Sequence, residues 1–345
     1  MPTFRKTHDY VGLSLPSLNG LHSLTELDLS DCNLSEEMIP GDFYCLSSLQ
    51  VLNISRNNFV NTPASISQLP QLRYLYLDDC KNLKALRKLP ATIHEISANN
   101  CISLETLSSP DAIAGKWMWP IFYFTNCFKL SVNQGGDSMP FKFLRSHLQS
   151  LSMNQLQVLL SPSLSLSLSL SLLLSLNMVI FMLQDVSFPG CRFDVIVPGI
   201  EVPNWFIQQH MGPSVVIPLP PNWYNEKFKG LAVCPVFAIC ENPDLLTDGP
   251  ASDIAIYCTL EAIDCTIFKF LIYRIPSIQS DHLWMGFHSR IGFGKSNQLN
   301  KCRYLRASFE SPFPGLEVKK CGIRLVYDQD ENDYNPVAGE SSHSL

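Results

Sequence analysis

One stretch of this chain has the residue types of a phosphate-binding loop. Residues 289–296 end in Gly294-Lys295-Ser296, as the P-loop pattern G-x-x-x-x-G-K-S/T does. The first position of that pattern is a glycine, but Ser289 stands there in this chain, and no strand–helix–strand pattern surrounds the segment. We therefore interpret it as a glycine-containing hairpin and expect neither ATP nor NAD to bind.

Other catalytic patterns are absent from the sequence. It contains no G-x-S-x-G elbow, which would carry a nucleophilic serine, and no H-E-x-x-H pair, which would bind zinc. The eight histidines are scattered, and His282 is expected to be a structural polar residue. The sequence thus predicts a protein without enzymatic activity, cofactor or metal.

The twelve cysteines are a third set with possible chemistry. No two form a C-x-x-C pair, and Cys32, Cys80 and Cys101 share one position of a repeat with Asn57. A small polar group there can hydrogen-bond the backbone where it turns away from a strand, so we interpret these residues as structural. Residues 1–9 are polar and lack an apolar signal core, which predicts a reduced protein in the cytoplasm or the nucleus.

The candidate binding residues are polar and aromatic side chains that alternate with leucines. Tyrosine is enriched at binding surfaces, whereas acidic residues are depleted there and more often serve solvation. A solvated face is therefore one interpretation, and a protein-binding face is the one that we favour. The candidates are Glu26, Asp28, Arg56, Tyr74, Tyr76, Asp78, Asp79 and Glu95.

A leucine ladder positions these candidates. Residues 24–34 match the signature L-x-x-L-x-L-x-x-N/C-x-L at every position. Further copies begin, at spacings of 25, 23 and 21 residues, at Leu49, Leu72 and Ile93. Each copy should lay one strand on the concave face of a curved stack and bury its leucines against its neighbours. Residues 18–109 are thus predicted to form an α/β leucine-rich-repeat solenoid of about four repeats. Residues 1–17 are a lead-in without a capping repeat, so we expect a longer array before them.

Composition limits the class of partner. The chain has 345 residues, which is room for two or three domains, and a formal net charge of −6. Hydrophobic residues make up 46%, enough for real cores, whereas charged residues make up only 16%. A nucleic-acid partner would require a basic face, so the net charge argues against nucleic acid.

A connector and an insert follow the repeats. Residues 110–149 are predicted to be an aromatic connector that caps the last repeat and contains a helix over residues 141–149. Residues 150–184 are a low-complexity insert of serine and leucine. Three interpretations stay open: a membrane-spanning helix, a buried strand, or a retained intron with a translated CT repeat. We favour the third, which predicts a disordered or sticky loop and no membrane contact.

Beyond Cys191 the sequence becomes a series of short strands punctuated by proline and glycine. The strand candidates are residues 214–219, 231–239, 254–260, 283–287, 304–309 and 323–327. The third and the sixth alternate apolar and polar residues, whereas the second is apolar on both faces and should be central. Six such strands indicate an all-β sandwich over residues 185–328. Residues 329–345 are expected to be an acidic disordered tail.

Several ordered motifs in this part resemble one plant family. Residues 197–206 read Val197-Pro198-Gly199-Ile200-Glu201-Val202-Pro203-Asn204-Trp205-Phe206. They are similar to the opening P-G-x-E-I/V-P-x-W-F of the C-terminal jelly-roll/Ig-like domain (C-JID) of plant TIR-type nucleotide-binding leucine-rich-repeat disease resistance proteins. The similarity continues over residues 219–223, 227–234, 280–284 and 318–327, and over Asn126-Cys127-Phe128-Lys129-Leu130. The resemblance covers about residues 18–149 and 191–328.

This resemblance implies a jelly-roll/Ig-like fold for residues 185–328 and a recognition function for the chain. In that family the region binds a pathogen effector protein in the defence response. The TIR domain and the nucleotide-binding switch of the family are missing from this sequence, so their activities carry over to no residue here. The implied partners are a pathogen effector protein and the full-length receptor or its missing TIR and nucleotide-binding domains. The alternative is a free-standing adaptor or decoy that binds a host protein.

Overall fold

The computed structural model describes residues 18, 20–107, 120–130, 139–150, 192–239, 254–262, 265–275, 278–293, 299–312 and 315–328. The predicted lead-in over residues 1–17 and the predicted acidic tail over residues 329–345 lie outside the described residues. All but the first residue of the predicted insert over residues 150–184 lies outside them as well. Within the described residues strands predominate and helix is scarce.

The repeats contain a stack of short parallel strands. They are β1 (Glu26–Asp28), β2 (Val51–Asn53), β3 (Tyr74–Tyr76) and β5 (Glu95–Ser97). Neighbouring strands are in register, so that Leu27, Leu52, Leu75 and Ile96 stand side by side. Leu52 and Leu75 are fully buried, whereas Leu27 in the first strand is half-buried. Burying one leucine contributes about 1.5–3 kcal/mol, so this row is a main source of stability.

The backbone leaves each strand through a left-handed residue. The residues with this conformation at equivalent positions are Asp31, Arg56, Asp79, Asn100 and Asn126. In the next position of the repeat, Asn57, Cys80 and Cys101 each donate a hydrogen bond to a carbonyl oxygen of the preceding repeat, over 2.9, 3.4 and 3.2 Å. The predicted structural role of this position is therefore confirmed for these three residues. Cys32 differs, because it is exposed and donates to the carbonyl of Ser30.

Short elements cover the opposite side of the stack. They are the 3-10 helices Glu36–Met38, Gly41–Cys45 and Ala64–Gln68, and a parallel pair formed by β4 (Ala85–Leu86) and β6 (Thr106–Leu107). Phe43 and Ile66 point inward from the helices and are buried against the ladder leucines. The repeats thus bury one face of the strand stack, whereas most outward side chains of the strands stay at least partly exposed.

The aromatic connector extends the stack by one more strand. β7 (Ile121–Tyr123) pairs in parallel with β5 and sets Phe122 beside Ile96. Phe124 and Cys127 are buried in the following ladder positions, and the Cys127 thiol donates to the carbonyl of Ala98 over 3.0 Å. We expected a cap here, because aromatic residues replace the leucines that define the motif. The structure shows that they fill the same positions as a further copy.

The same sheet continues from the repeats into the second half of the chain. β7 pairs in parallel with β8 (Arg192–Pro198), which places Phe122 beside Val195. Beyond β8 the sheet continues with β14 (His282–Ser289), β11 (Phe228–Ile239), β16 (Leu316–Tyr327) and β9 (Gln208–Met211). Ten hydrogen-bonded strands therefore link the repeats to the second half.

A second sheet packs against one face of the first. It contains the antiparallel strands β10 (Ser214–Pro218), β15 (Tyr304–Glu310), β12 (Ile254–Ala262) and β13 (Cys265–Ile275). Trp284 and Phe309 come from opposite sheets and meet edge to face, with ring centroids 6.1 Å apart. All six strand candidates coincide with observed strands, whereas β8, β9 and β13 were not predicted. A 3-10 helix over Arg290–Phe293 follows β14.

One α-helix covers the other face of the large sheet. α1 (Met139–Ser150) confirms the helix predicted over residues 141–149, and the predicted inward positions Phe141, Leu144 and Leu148 are buried. Phe143 also points inward and meets Phe122 at a centroid distance of 5.2 Å. The helix therefore closes the core where the repeats meet the second half.

Candidate partner-binding surface

The outward side chains of β1, β2, β3, β5 and β7 form two rows, which together we call the strip. Side chains alternate along a strand, so the middle residue of each triplet points into the core and the flanking two point outward. The first row contains Glu26, Val51, Tyr74, Glu95 and Ile121. The second row contains Asp28, Asn53, Tyr76, Ser97 and Tyr123. The strip is thus a mixture of acidic, amide and aromatic groups.

A depression of about 680 Å³ lies at the end of the strip that adjoins the second half of the chain. Five of the predicted site residues line it, namely Arg56, Tyr76, Asp78, Asp79 and Glu95. The lining residues that were not chosen as candidates are Ser30, Asn53, Ser55, Ser97, Asn99, Asn100, Ile121 and Tyr123. The repeat pattern assigns the first six of them to the solvent-facing side of the repeats, with Asn53 on β2 and Ser97 on β5. It could not predict Ile121 and Tyr123, because β7 was interpreted as a connector.

The other three predicted residues lie on the strip but do not line the depression. Asp28 accepts a hydrogen bond from the Ser30 amide over 2.8 Å and one from Asn53 over 3.2 Å. The bonds from Ser30 hold the pKa of Asp28 below its usual range. Tyr74 is half-buried and meets the ring of His94 edge to face at 6.2 Å. Glu26 is exposed in the first strand.

A ladder of polar side chains holds the floor of the depression in place. Asp78 Oδ1 accepts hydrogen bonds from the Ser97 hydroxyl and from the backbone amide of Asn99, both over 2.7 Å. Asn99 in turn accepts one from the Thr125 amide over 3.0 Å, and Ser55 accepts one from the Asp78 amide over 3.1 Å. Burial raises the pKa of Asp78, while the hydrogen bonds from Ser97 and Asn99 oppose that change. The ladder ties neighbouring repeats together across the site.

A buried histidine fixes the junction beside the depression. His282 on β14 accepts a hydrogen bond at Nε2 from the Asn126 amide over 2.9 Å. Its Nδ1 lies 2.8 Å from the Ser280 carbonyl and must carry the proton that it donates there, because Nε2 is the acceptor. Asn126 Oδ1 also accepts from the Gln279 amide over 3.0 Å. Burial lowers the pKa of His282 to about 4, so the ring is neutral at pH 7. The expected structural role of His282 is confirmed.

A buried carboxylate stands behind the end of the strip. Asp194 on β8 is paired in register with Ile121 and is fully buried. It accepts a hydrogen bond from the Trp284 indole over 2.7 Å and forms an ion pair with Arg192. Burial raises the pKa of Asp194, and the charge of Arg192 opposes that shift. Asp194 was not identified from the sequence, because Arg192–Pro198 was not predicted as a strand.

The described residues have few features of a catalytic or metal site. No group of three or more His, Cys, Asp or Glu among them could hold a metal ion. Nine cysteines of the described part are free thiols. In the P-loop-like segment Ser289 ends β14, and a 3-10 helix over Arg290–Phe293 follows where a hairpin was expected. Phe293 is buried, and residues 294–298 lie outside the described part. No helix of the described ranges is long and apolar enough to cross a membrane.

Two family models match separate parts of the chain. Residues 22–81 match the leucine rich repeat family, and residues 197–332 match the C-JID domain family. Disease resistance-like protein DSC1 of Arabidopsis thaliana is 29% identical over 95% of this chain and 27% of its own length. Disease resistance protein RPS4 of the same plant is 26% identical over 95% of this chain and 27% of its own length.

A further relative comes from another plant. TMV resistance protein N of Nicotiana glutinosa is 31% identical over 67% of this chain and 18% of its own length. The chain spans about a quarter of the length of the first relatives, since 27% of each is covered. It therefore carries leucine-rich repeats and a C-JID domain, and over most of its length it is homologous to the C-terminal region of plant TIR-type nucleotide-binding leucine-rich-repeat disease resistance proteins.

Proposed function

We propose that this chain is the non-catalytic recognition region of a plant intracellular immune receptor and that its strip binds a pathogen effector protein. The observation that carries the proposal is the pairing of β7 with β8, which joins the repeats and the C-JID domain in one sheet. A partner on the strip would thereby contact the edge of the C-JID domain as well. The three relatives are named as resistance or resistance-like proteins, which supports a role in defence.

Rigidity at the junction favours tight binding on this surface. Association costs free energy for every group that must be ordered, so a surface that is already fixed retains more of its contact energy. Here the strands are hydrogen-bonded across the junction, and Asn126 is held by both His282 and Gln279. We infer that the strip and the C-JID edge act as one surface rather than as two independent sites.

We also propose a shape for the two parts of the chain and a location in the cell. The repeats form a curved solenoid with the strip on its concave face, and the C-JID domain is a jelly roll. The location we propose is the cytoplasm or the nucleus, in keeping with the nine free thiols among the described cysteines. Binding would then be reported to the TIR and nucleotide-binding domains of a full-length receptor.

The test is a binding screen followed by mapping. The full chain is screened against a panel of secreted pathogen effectors, and a binder is mapped by hydrogen–deuterium exchange. We expect protection of the backbone in Tyr74–Tyr76, Glu95–Ser97 and Ile121–Tyr123. Protection confined to Ser214–Pro218 and Tyr304–Glu310, on the outer sheet, would contradict the proposal. If no effector in the panel binds and a host protein forms a stoichiometric complex with the chain, the adaptor or decoy alternative is favoured.

A further inference from the structure

The last strand of the large sheet has an open edge. On one side β9 pairs with β16, and on its other side the described part of the chain places no hydrogen-bonded strand. All four residues of β9 are exposed. An open edge presents backbone N–H and C=O groups, which can pair with a strand of another chain.

The side chains at this edge do not oppose such pairing. Natural edge strands are commonly protected by charged residues or by proline, but residues 207–211 read Ile-Gln-Gln-His-Met and contain no Lys, Arg, Asp, Glu or Pro. Ile207 directly precedes the strand and is 73% exposed, and Met211 ends the strand and is 65% exposed. Covering apolar side chains of this kind is favourable. The edge thus combines open backbone with an exposed apolar residue at each end.

The order of these residues is symmetric about Gln209. An apolar residue lies two positions before it and another lies two positions after it, with one polar residue between in each direction. In an antiparallel pair centred on Gln209, Ile207 of one copy comes opposite Met211 of the other, and Gln208 comes opposite His210. Each apolar side chain then meets an apolar one, and His210 does not face its own copy. The edge is therefore self-complementary, as a two-fold interface requires.

Contacts within the chain hold the strand in place. The Gln209 carboxamide donates hydrogen bonds to the carbonyl oxygens of Pro203 and Phe206, over 3.2 and 2.9 Å. Directly after the strand, the Gly212 amide donates to the Lys319 carbonyl over 2.7 Å. A strand that is already fixed loses little conformational freedom when a partner strand binds, so less of the contact energy is spent on ordering.

We propose that β9 is a dimerisation edge, at which a second copy of this chain adds its own β9 in an antiparallel two-fold pair. The large sheets of the two copies then form one continuous sheet. β9 lies at the opposite end of the strand order from β1, so the pairing leaves both strips free. The inference goes beyond the proposed function and does not depend on it. Interfaces below about 1,200 Å² are typical of weak and transient complexes, so we expect this short pairing to be reversible.

Sedimentation velocity of the full chain tests the pairing. We expect the weight-average sedimentation coefficient to rise with protein concentration as monomer converts to dimer. Hydrogen–deuterium exchange at low and at high concentration should show slower exchange of Gln208–Met211 in the dimer and unchanged exchange of Tyr74–Tyr76. A chain that stays monomeric up to about 1 mM would overturn the inference.

Paired substitutions test the register. Made alone, Ile207→Lys and Met211→Glu each put a charge opposite an apolar residue at both ends of the pair, and each should raise the dimer Kd about tenfold. Combined in one chain, they place a lysine opposite a glutamate at both ends, so the double variant should dimerise about fivefold more tightly than either single variant. Ile102→Lys is the matched control, because Ile102 is an isoleucine 48% exposed in the repeats, and it should leave the dimer Kd unchanged. Thermal melts of all four variants should match that of the wild type.

Two further results would overturn the inference. A dimer Kd unaffected by Ile207→Lys would place the self-association at another surface. A double variant as weak as the single variants would rule out the two-fold register centred on Gln209. Either result leaves the proposed function standing, because effector binding is assigned to the strip.

Discussion

Acid should loosen the junction through His282. The ring is buried and neutral, with its pKa lowered to about 4 from the ordinary 6.5. Between pH 6.5 and pH 4 the histidine is therefore protonated in the unfolded chain but not in the folded chain. The stability that the neutral ring contributes is complete above pH 6.5 and is lost as the pH falls toward 4. With these two pKa values, going from about pH 7.5 to about pH 5 costs about 2 kcal/mol from this residue alone.

The variant that isolates this effect is His282→Gln. Glutamine can still accept a hydrogen bond from the Asn126 amide but does not titrate. His147 and His288 also have lowered pKa values because they are buried, so the wild type will lose more than the share of His282. Urea unfolding followed by tryptophan fluorescence at the two pH values gives the loss for each protein.

The difference between the two losses is the decisive quantity. We expect the variant to lose about 2 kcal/mol less than the wild type between the two pH values, whatever its stability at neutral pH. His210→Gln is the control, since His210 is exposed on the edge strand β9, and it should lose as much as the wild type. Equal losses in the wild type and in His282→Gln would refute the role assigned to the neutral ring.

Three further predictions concern stability and chemistry. Leu52→Asp places a charge at a fully buried position between Leu27 and Leu75 and should make the repeats protease-sensitive. Leu52→Ala should lower the free energy of unfolding in urea by about 2–5 kcal/mol. Protease resistance equal to that of the wild type in the aspartate variant would contradict the ladder register. Mg-ATP should not bind the chain in calorimetry, and a stoichiometric complex that Lys295→Ala abolishes would reverse that expectation. Deleting residues 150–184 should leave the circular dichroism of both sheets unchanged and improve solubility, because every paired strand described lies outside them; loss of strand signal would show that the segment belongs to a core.

The fold was predictable wherever a local pattern repeats. Leucine spacing identified the strands around Leu52 and Leu75, and alternation identified the strands of the second half. β7 escaped prediction because Phe122 and Phe124 hold positions that the motif assigns to leucine. β8 escaped as well, and its pairing with β7 joins residues about seventy positions apart in the sequence, which no local pattern specifies.

The sequence predicts which side of the repeats carries the candidate site, but not where along the strip the depression lies. Alternation assigned Tyr76, Asp78 and Glu95 to the outward side, and the structure brings them together in one depression. Tyr74 has the same residue type and orientation as Tyr76, yet it lies in the other row and outside the lining. Which part of the strip forms the depression depends on where the C-JID domain meets the repeats. Tyr123, supplied at that junction, therefore could not be found from the repeats alone.

The most direct test of the account is the loss of effector binding in the double variant Tyr74→Ala plus Tyr76→Ala. Truncating aromatic anchors at an interface typically costs about 2 kcal/mol or more, which is about thirtyfold in Kd. The matched control is Val216→Ala plus Tyr304→Ala, which removes a tyrosine 50% exposed and a valine 47% exposed from the outer sheet. Calorimetry against a cognate effector should show binding abolished in the first variant and unchanged in the second, with nearly equal thermal melts. Undiminished affinity in the first variant would contradict the central claim and move the site off the strip.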